Sequence, residues 1–336
     1  MKASLSVALT FLAAIGANAA PSQGNNQGQR GQKGQSPSKG QTGPNGEPYV
    51  PGKWFDRFFM LIGENMDIWD VEAQPTFANL WKQAPNGRLL ANYYGPNYWD
   101  HIAASTFGWN SDTPANVTGA DSYNIIDVLE EKGISWGGYA EDYPLTQGCY
   151  IPYAPEYANG TEVPNSYVRK HFPFISFETI YTNETRCNKL YNANMFWEHL
   201  KEGKLPQFVY FVPNLLNDGH NTNASYFANY IQKTWIDTFY HNQYFNERAL
   251  NYLSVDESGN TTGFNTVPGD NNNHIYAAIW GDAIENRDTY DKYDFVRYNH
   301  SSITATLEMN WFGKTGMLGR NDTYAPVFAL PYDGQN

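Results

Sequence analysis

The chain has 336 residues, a formal net charge of −12 and 16% aromatic residues. That acidic balance, with no basic stripe, excludes nucleic acid as a partner and argues against tight binding to anionic membranes. With 2 cysteines the fold must rest on a hydrophobic core rather than on a cystine framework, and the aromatic share supplies one.

The first residues read as a secretion signal. Lys2 is followed by an apolar run from Leu5 to Ile15 and by the small-x-small pattern Ala17-Asn18-Ala19, which sets residues 1–19 as a signal peptide. Residues 20–50 are dominated by Gly, Gln, Ser and Pro and read as a disordered linker, and 51–336 as one large domain. No later stretch approaches the roughly 20 consecutive apolar residues of a spanning helix. The polar C-terminus carries no lipid-anchor or retention signal. The expected location is therefore outside the cell, secreted or associated with the cell wall. Asn-x-Ser/Thr sites at Asn116, Asn159, Asn183, Asn223, Asn260 and Asn321 mark surface glycans; Asn299 is discounted because it precedes His300, which the chemistry below uses. In an oxidising compartment Cys149 and Cys187 are expected to pair.

Phe58 to Gly63 reads as a buried strand ending in Glu64-Asn65, and Thr76 to Gln83 as a short helix. Tyr123 to Gly133 has helical apolar spacing with glycine as its stop, and Ile134 to Tyr139 is the next strand. Gln207 to Val212 is a third strand, followed by a polar loop with Asp218 and His220; Tyr226 to Phe239 continues as an amphipathic helix. Leu250 to Val255 is a strand with Asp256-Glu257 at its end, Ile275 to Gly281 another, and Ser301 to Met309 a late helix. Strands alternating with helices predict an α/β fold with a mainly parallel central sheet flanked by helices.

Three of these strands lead to acids, amides or histidines, and ligands in open α/β sheets bind beyond the carboxyl ends of strands. Asp, Glu, Asn and His are oxygen and nitrogen ligands for divalent ions, and crowded carboxylates repel one another without a cation. Hydrolysis of a phosphate ester needs charge neutralised on the phosphoryl oxygens, which one or two divalent metal ions achieve directly.

The ordered segments Gly63-Glu64-Asn65, Asn92 to Tyr98, Val128 to Trp136, Arg169-Lys170-His171, Pro213-Asn214 with Asn217 to His220, Asp256-Glu257 and Tyr298 to Ser301 resemble one family. It is that of the secreted fungal acid phosphatases and the phosphatidylglycerol-type phospholipases C, phosphoesterases with an alkaline-phosphatase-like sheet. The resemblance implies metal ligation by Glu64, Asn65, Asp218, Asp256 and Glu257. It implies catalytic roles for His220 and His300, and substrate-side contacts from Lys170 and His171. Phosphate monoesters or a lipid headgroup diester would be the substrate.

One element departs from the family pattern. A segment resembling Thr-His-Pro-Ser-x, whose hydroxyl is the expected nucleophile, is missing between Gly95 and Pro96. By that alignment Tyr94 stands where the hydroxyamino acid should be, and Ser105, Thr106 or His101 are the other residues a rebuilt site would use. Losing the covalent nucleophile forces direct attack by water, so phosphatase activity is expected to be strongly reduced. A phospholipase C-type diesterase, for which Trp99, Phe107 and Trp109 would form an aromatic rim unless they belong to the core, and a non-catalytic secreted binding protein on the same scaffold are the alternatives. A glycoside hydrolase built on Glu64 or Glu257 leaves Asp218, His220 and His300 without a role.

Overall fold

A computed structural model describes residues 42–43, 46–84, 86–95, 116–152, 157–158, 161–162, 167–259, 273–284 and 292–330. Its strands are β1 (Arg57–Gly63), β2 (Arg88–Leu90), β3 (Tyr93–Tyr94), β4 (Trp136–Ala140), β5 (Tyr157–Ala158), β6 (Thr161–Glu162), β7 (Leu190–Asn192), β8 (Phe208–Val212), β9 (Ala249–Val255), β10 (Ala277–Trp280), β11 (Tyr293–Asp294) and β12 (Tyr298–Asn299). Eight of them form one sheet in the order β11-β2-β10-β9-β1-β8-β4-β7.

The middle of that sheet is parallel. β1 pairs with β8 through Phe58–Phe208 and with β9 through Phe58–Leu250, and β8 pairs in parallel with β4. Every residue of β1, β8 and β9 is buried, because helices cover both faces and leave no face for polar alternation. β10 is antiparallel to both of its neighbours, β9 and β2, and so runs against the rest. The expected sheet is thus present as a mixed one, with a parallel centre and one reversed strand.

Helices form where the sequence supplies caps. Ile125–Glu131 starts at a capping box in which Asn124 accepts from Ile126 N and Asp127 accepts from Asn124 N, and it stops before Gly133, at φ 75°. The single helix expected from Tyr226 to Phe239 is two, Ala224–Thr234 and Ile236–His241. The break falls at Trp235, whose backbone sits at φ −117° while its indole enters the core against Phe59, Phe196, Phe211 and Phe239. Phe59 lies at the centre of these rings and also meets Phe245 edge-on at 5.0 Å. Phe59→Ala should cost about 3–5 kcal/mol of stability, read as a lower denaturant midpoint.

The outer edge of β7 is covered. Gly148 N donates to Leu190 O and Asn192 N to Thr146 O, with an antiparallel bridge between Gln147 and Tyr191. The Cys149–Cys187 disulfide ties this covering segment to the chain just before β7. At the other edge β11 is 2 residues long.

Glu308, on the Ser301–Phe312 helix, is fully buried and accepts from Gly316 N; Asp322 lies beside it and accepts from Leu318 N and Arg320 N. Burial, reinforced by the charge of Asp322, pushes the Glu308 carboxyl from 4.5 up to about 7. A folded-state pKa above the unfolded one contributes stability that is complete below about 4.5 and lost as pH rises through about 7. The fold is therefore expected to be favoured by acid. Glu308→Gln, which keeps the acceptor for Gly316 N, should melt a few degrees above the parent protein at pH 8, with the gap closing at pH 5.

Candidate active site

The carboxyl ends of the parallel strands converge on one polar pocket. β1 ends at Gly63 and delivers Glu64, which is buried and whose N–H donates to Asp218 O. The chain leaving β8 folds back through Asn214 to bring in Asp218, buried, with its Oδ1 accepting from His220 N at 2.8 Å. The 3-10 turn Arg169–His171 inserts the buried His171 from the side. Its Nε2 lies 2.6 Å from Glu64 Oε2 and its Nδ1 3.6 Å from Asp218 Oδ2. His220 is half-exposed at the mouth, with Nε2 4.0 Å from Glu64 Oε1.

Glu64, His171 and Asp218 each offer a ligand atom, all within 4.8 Å of one another, and together they form a candidate divalent-metal site. Burial holds the Asp218 carboxyl well above the usual carboxylate range, and the nearby charge of Glu64 raises it further. Two carboxylates and an imidazole suit a borderline or hard divalent ion, whose charge would offset that repulsion. Asn65 adjoins the trio in the left-handed region at φ 49°, and its buried Oδ1 has no hydrogen-bond partner among the described residues. Such an oxygen fits a metal ligand or an acceptor for a protonated substrate.

β9 delivers the next layer. Asp256 Oδ1 accepts from Asn65 N at 3.0 Å and from Glu257 N at 2.7 Å, which braces the Glu64-Asn65 turn. Glu257 is buried, and its carbonyl accepts from Met66 N. His300 stands behind Asp256. Its Nε2 is 2.7 Å from the Asp256 carbonyl, which can only accept, so that nitrogen carries a proton, and its Nδ1 lies 3.1 Å from Tyr93 Oη.

A phosphoesterase family model matches residues 50–312. The chain belongs to the phosphoesterase family. It is 33% identical over 301 residues to an acid phosphatase of Aspergillus fumigatus, covering 84% of this chain and 62% of that protein. It is 32% identical over 303 residues to the phosphate-repressible acid phosphatase of Penicillium chrysogenum, covering 85% of this chain and 67% of that one. This phosphoesterase thus spans less than two thirds of the length of the A. fumigatus protein. A solved structure from Vibrio parahaemolyticus, a protein in the alkaline phosphatase superfamily, is similar with TM-score 0.53 over 83% of this chain and 71% of that one, at 18% identity. The fold is therefore alkaline-phosphatase-like.

Of the residues singled out in the phosphoesterase sequence, Glu64, Asn65, His171, Asp218 and His220 come together in the pocket, with Asp256 and Glu257 bracing it. Lys170 is on the same turn as His171 and partly exposed. Tyr94 is held between His274, stacked at 4.9 Å, and the Arg297 guanidinium, 4.2 Å from the ring centroid. Ser105, Thr106 and His101, the proposed rim residues Trp99, Phe107 and Trp109, and the glycosylation sites Asn159 and Asn260 lie outside the described residues.

Glu141 was missed. It follows the end of β4, takes hydrogen bonds from Asn214 N, Asn217 Nδ2 and Tyr230 Oη, and is pushed up by burial. The signal was present, since Glu141-Asp142 closes a strand as Asp256-Glu257 does. No helix among the described residues is long and apolar enough to cross a membrane.

Proposed function

We propose that this chain is a secreted, metal-dependent phosphoric ester hydrolase of the acid phosphatase type, acting on phosphate monoesters. The observation that carries the reading is the buried Glu64–His171–Asp218 cluster at the carboxyl ends of a parallel sheet, in a phosphoesterase-family chain. Family resemblance to acid phosphatases supports the monoester substrate.

A divalent ion bound there would neutralise phosphoryl oxygens and make the attacking group more acidic. The protein's own residues do the rest. Glu64 and Asp218 set the negative charge that selects the cation, and Asp256 holds Asn65 in its turn. His220, at the mouth, is placed to give a proton to the leaving alkoxide. Lys170 supplies a cation for an outer phosphate oxygen, and His300 anchors the Asp256 backbone through Nε2.

The missing hydroxyl segment between Gly95 and Pro96 favours a second reading, a binding protein that retains the pocket without turnover. Phosphate release from an aryl phosphate between acid and neutral pH separates the two. Release that a chelator stops and a divalent cation restores supports the hydrolase; no release at any pH, with the cation still bound, supports the binding protein.

A further inference from the structure

We propose that Asn223 carries a glycan that stands at the mouth of the active-site cleft and limits the size of the ester that can enter. A cleft of about 350 Å³ adjoins the candidate metal site and is lined by Asn65, Asp67, Asp70, His220, Thr222 and Asn223, among others. Its lining includes His220, whose Nε2 is 4.0 Å from Glu64, and the exposed Asn223 of the Asn223-Ala224-Ser225 acceptor sequence.

The local geometry is compatible with modification. Asn223 is the N-cap of the Ala224–Thr234 helix, and its Oδ1 accepts from Tyr226 N at 3.0 Å. That fixes the amide with its oxygen toward the helix, while Nδ2, the atom to which the sugar is joined, makes no hydrogen bond among the described residues. The glycosidic bond forms on nitrogen and leaves the oxygen an acceptor, so cap and glycan coexist. The helix that the amide caps then holds the first sugar at a fixed place beside the cleft.

The other described acceptor sites lie away from the cleft. Asn116 accepts from Arg169, Asn183 caps the Glu184–Cys187 helix, Asn299 accepts from Ser301 N and Asn321 opens a 3-10 turn; none of these lines the cleft. Among the described residues Asn223 is the acceptor site that lines the cleft, and a glycan there would couple the protein's passage through the secretory route to the range of substrates it takes.

This inference rests on the secreted hydrolase reading, and its test separates the two. The full chain is secreted from a glycosylating host, as is Ser225→Ala, which removes the acceptor sequence and leaves the Asn223 cap intact. Peptide mass spectrometry is expected to find a glycan on Asn223 of the former and none on the latter. With a small aryl phosphate kcat/KM should be equal for both, whereas with a phosphorylated peptide it should be severalfold higher for Ser225→Ala. Asp70→Cys, placed in each background, gives a readout independent of turnover. A small maleimide should label both at one rate and a polymer-linked maleimide should label the Ser225→Ala background faster. An unmodified Asn223, or equal labelling by the polymer reagent, overturns the proposal. Absence of phosphate release from every form counts against the hydrolase reading and leaves the labelling rates to decide the gate.

Discussion

Divalent cation should raise the melting temperature of this protein, and Glu64→Ala should abolish the rise. Glu64 and Asp218 are buried beside each other, with His171 between them. Burial and the neighbouring charge of Glu64 hold the Asp218 carboxyl above its usual range, a repulsion that a bound cation would offset. A cation bound only by the folded chain stabilises it by about 2.7 kcal/mol at a hundredfold excess over Kd. For a domain of this size that corresponds to roughly 4–5 °C. Binding must displace protons, so the shift should be smaller at acid pH than at neutral pH. Calorimetric scans with zinc, manganese, magnesium and calcium in turn would rank the ions. A melting temperature indifferent to all four, or a shift retained by Glu64→Ala, would remove the metal site from the mechanism.

The second expected result concerns turnover. Restoring a Thr-His-Pro-Ser-x segment between Gly95 and Pro96 should raise kcat on an aryl phosphate by roughly 10⁴-fold or more, the scale on which loss of a covalent nucleophile is felt. The backbone around the insertion point supports the placement. Gly95 N donates to Asn273 O, Asn273 Oδ1 accepts from Ser258 N, and a Cβ at Gly95 would stand 3.0 Å from the Asp256 carbonyl. The chain therefore leaves β3 against the residues that brace Glu64 and Asn65, where a hydroxyl could face the pocket. Tyr94 is poorly suited to replace it, because its ring is packed between His274 and Arg297. Equal activity in both forms would mean a rebuilt nucleophile, and Ser105, Thr106 and Tyr94 would then be replaced one at a time.

The strand-end acids were legible because a parallel strand with both faces covered is an unbroken apolar run. The first polar residues after it must then lie at the sheet's carboxyl edge, as Glu64 and Asp256 do. The resemblance gave His171 as a substrate-side contact, whereas the structure sets it against Glu64 and Asp218, and it arrives on a 3-10 turn that no periodicity announces. The reversal of β10 was not legible, because a short apolar run such as Ile275 to Gly281 carries no information about its direction. Nor was the break at Trp235, where the demand of one indole for the core overrides a helical pattern that runs through it.

The covered edge of β7 bears on how the folded chain avoids pairing with its own copies. A sheet edge with unpaired N–H and C=O groups is a template for another chain, and a concentrated protein offers many. Here the segment from Thr146 to Gly148 occupies that edge, and the Cys149–Cys187 bond keeps the segment from peeling away. The opposite edge, β11, is too short to recruit a partner strand. In this light the disulfide guards solubility as much as it adds stability. Reduction of that bond is expected to loosen the strip over β7, read as faster hydrogen exchange of the Gly148 and Asn192 amides while the core strands stay protected.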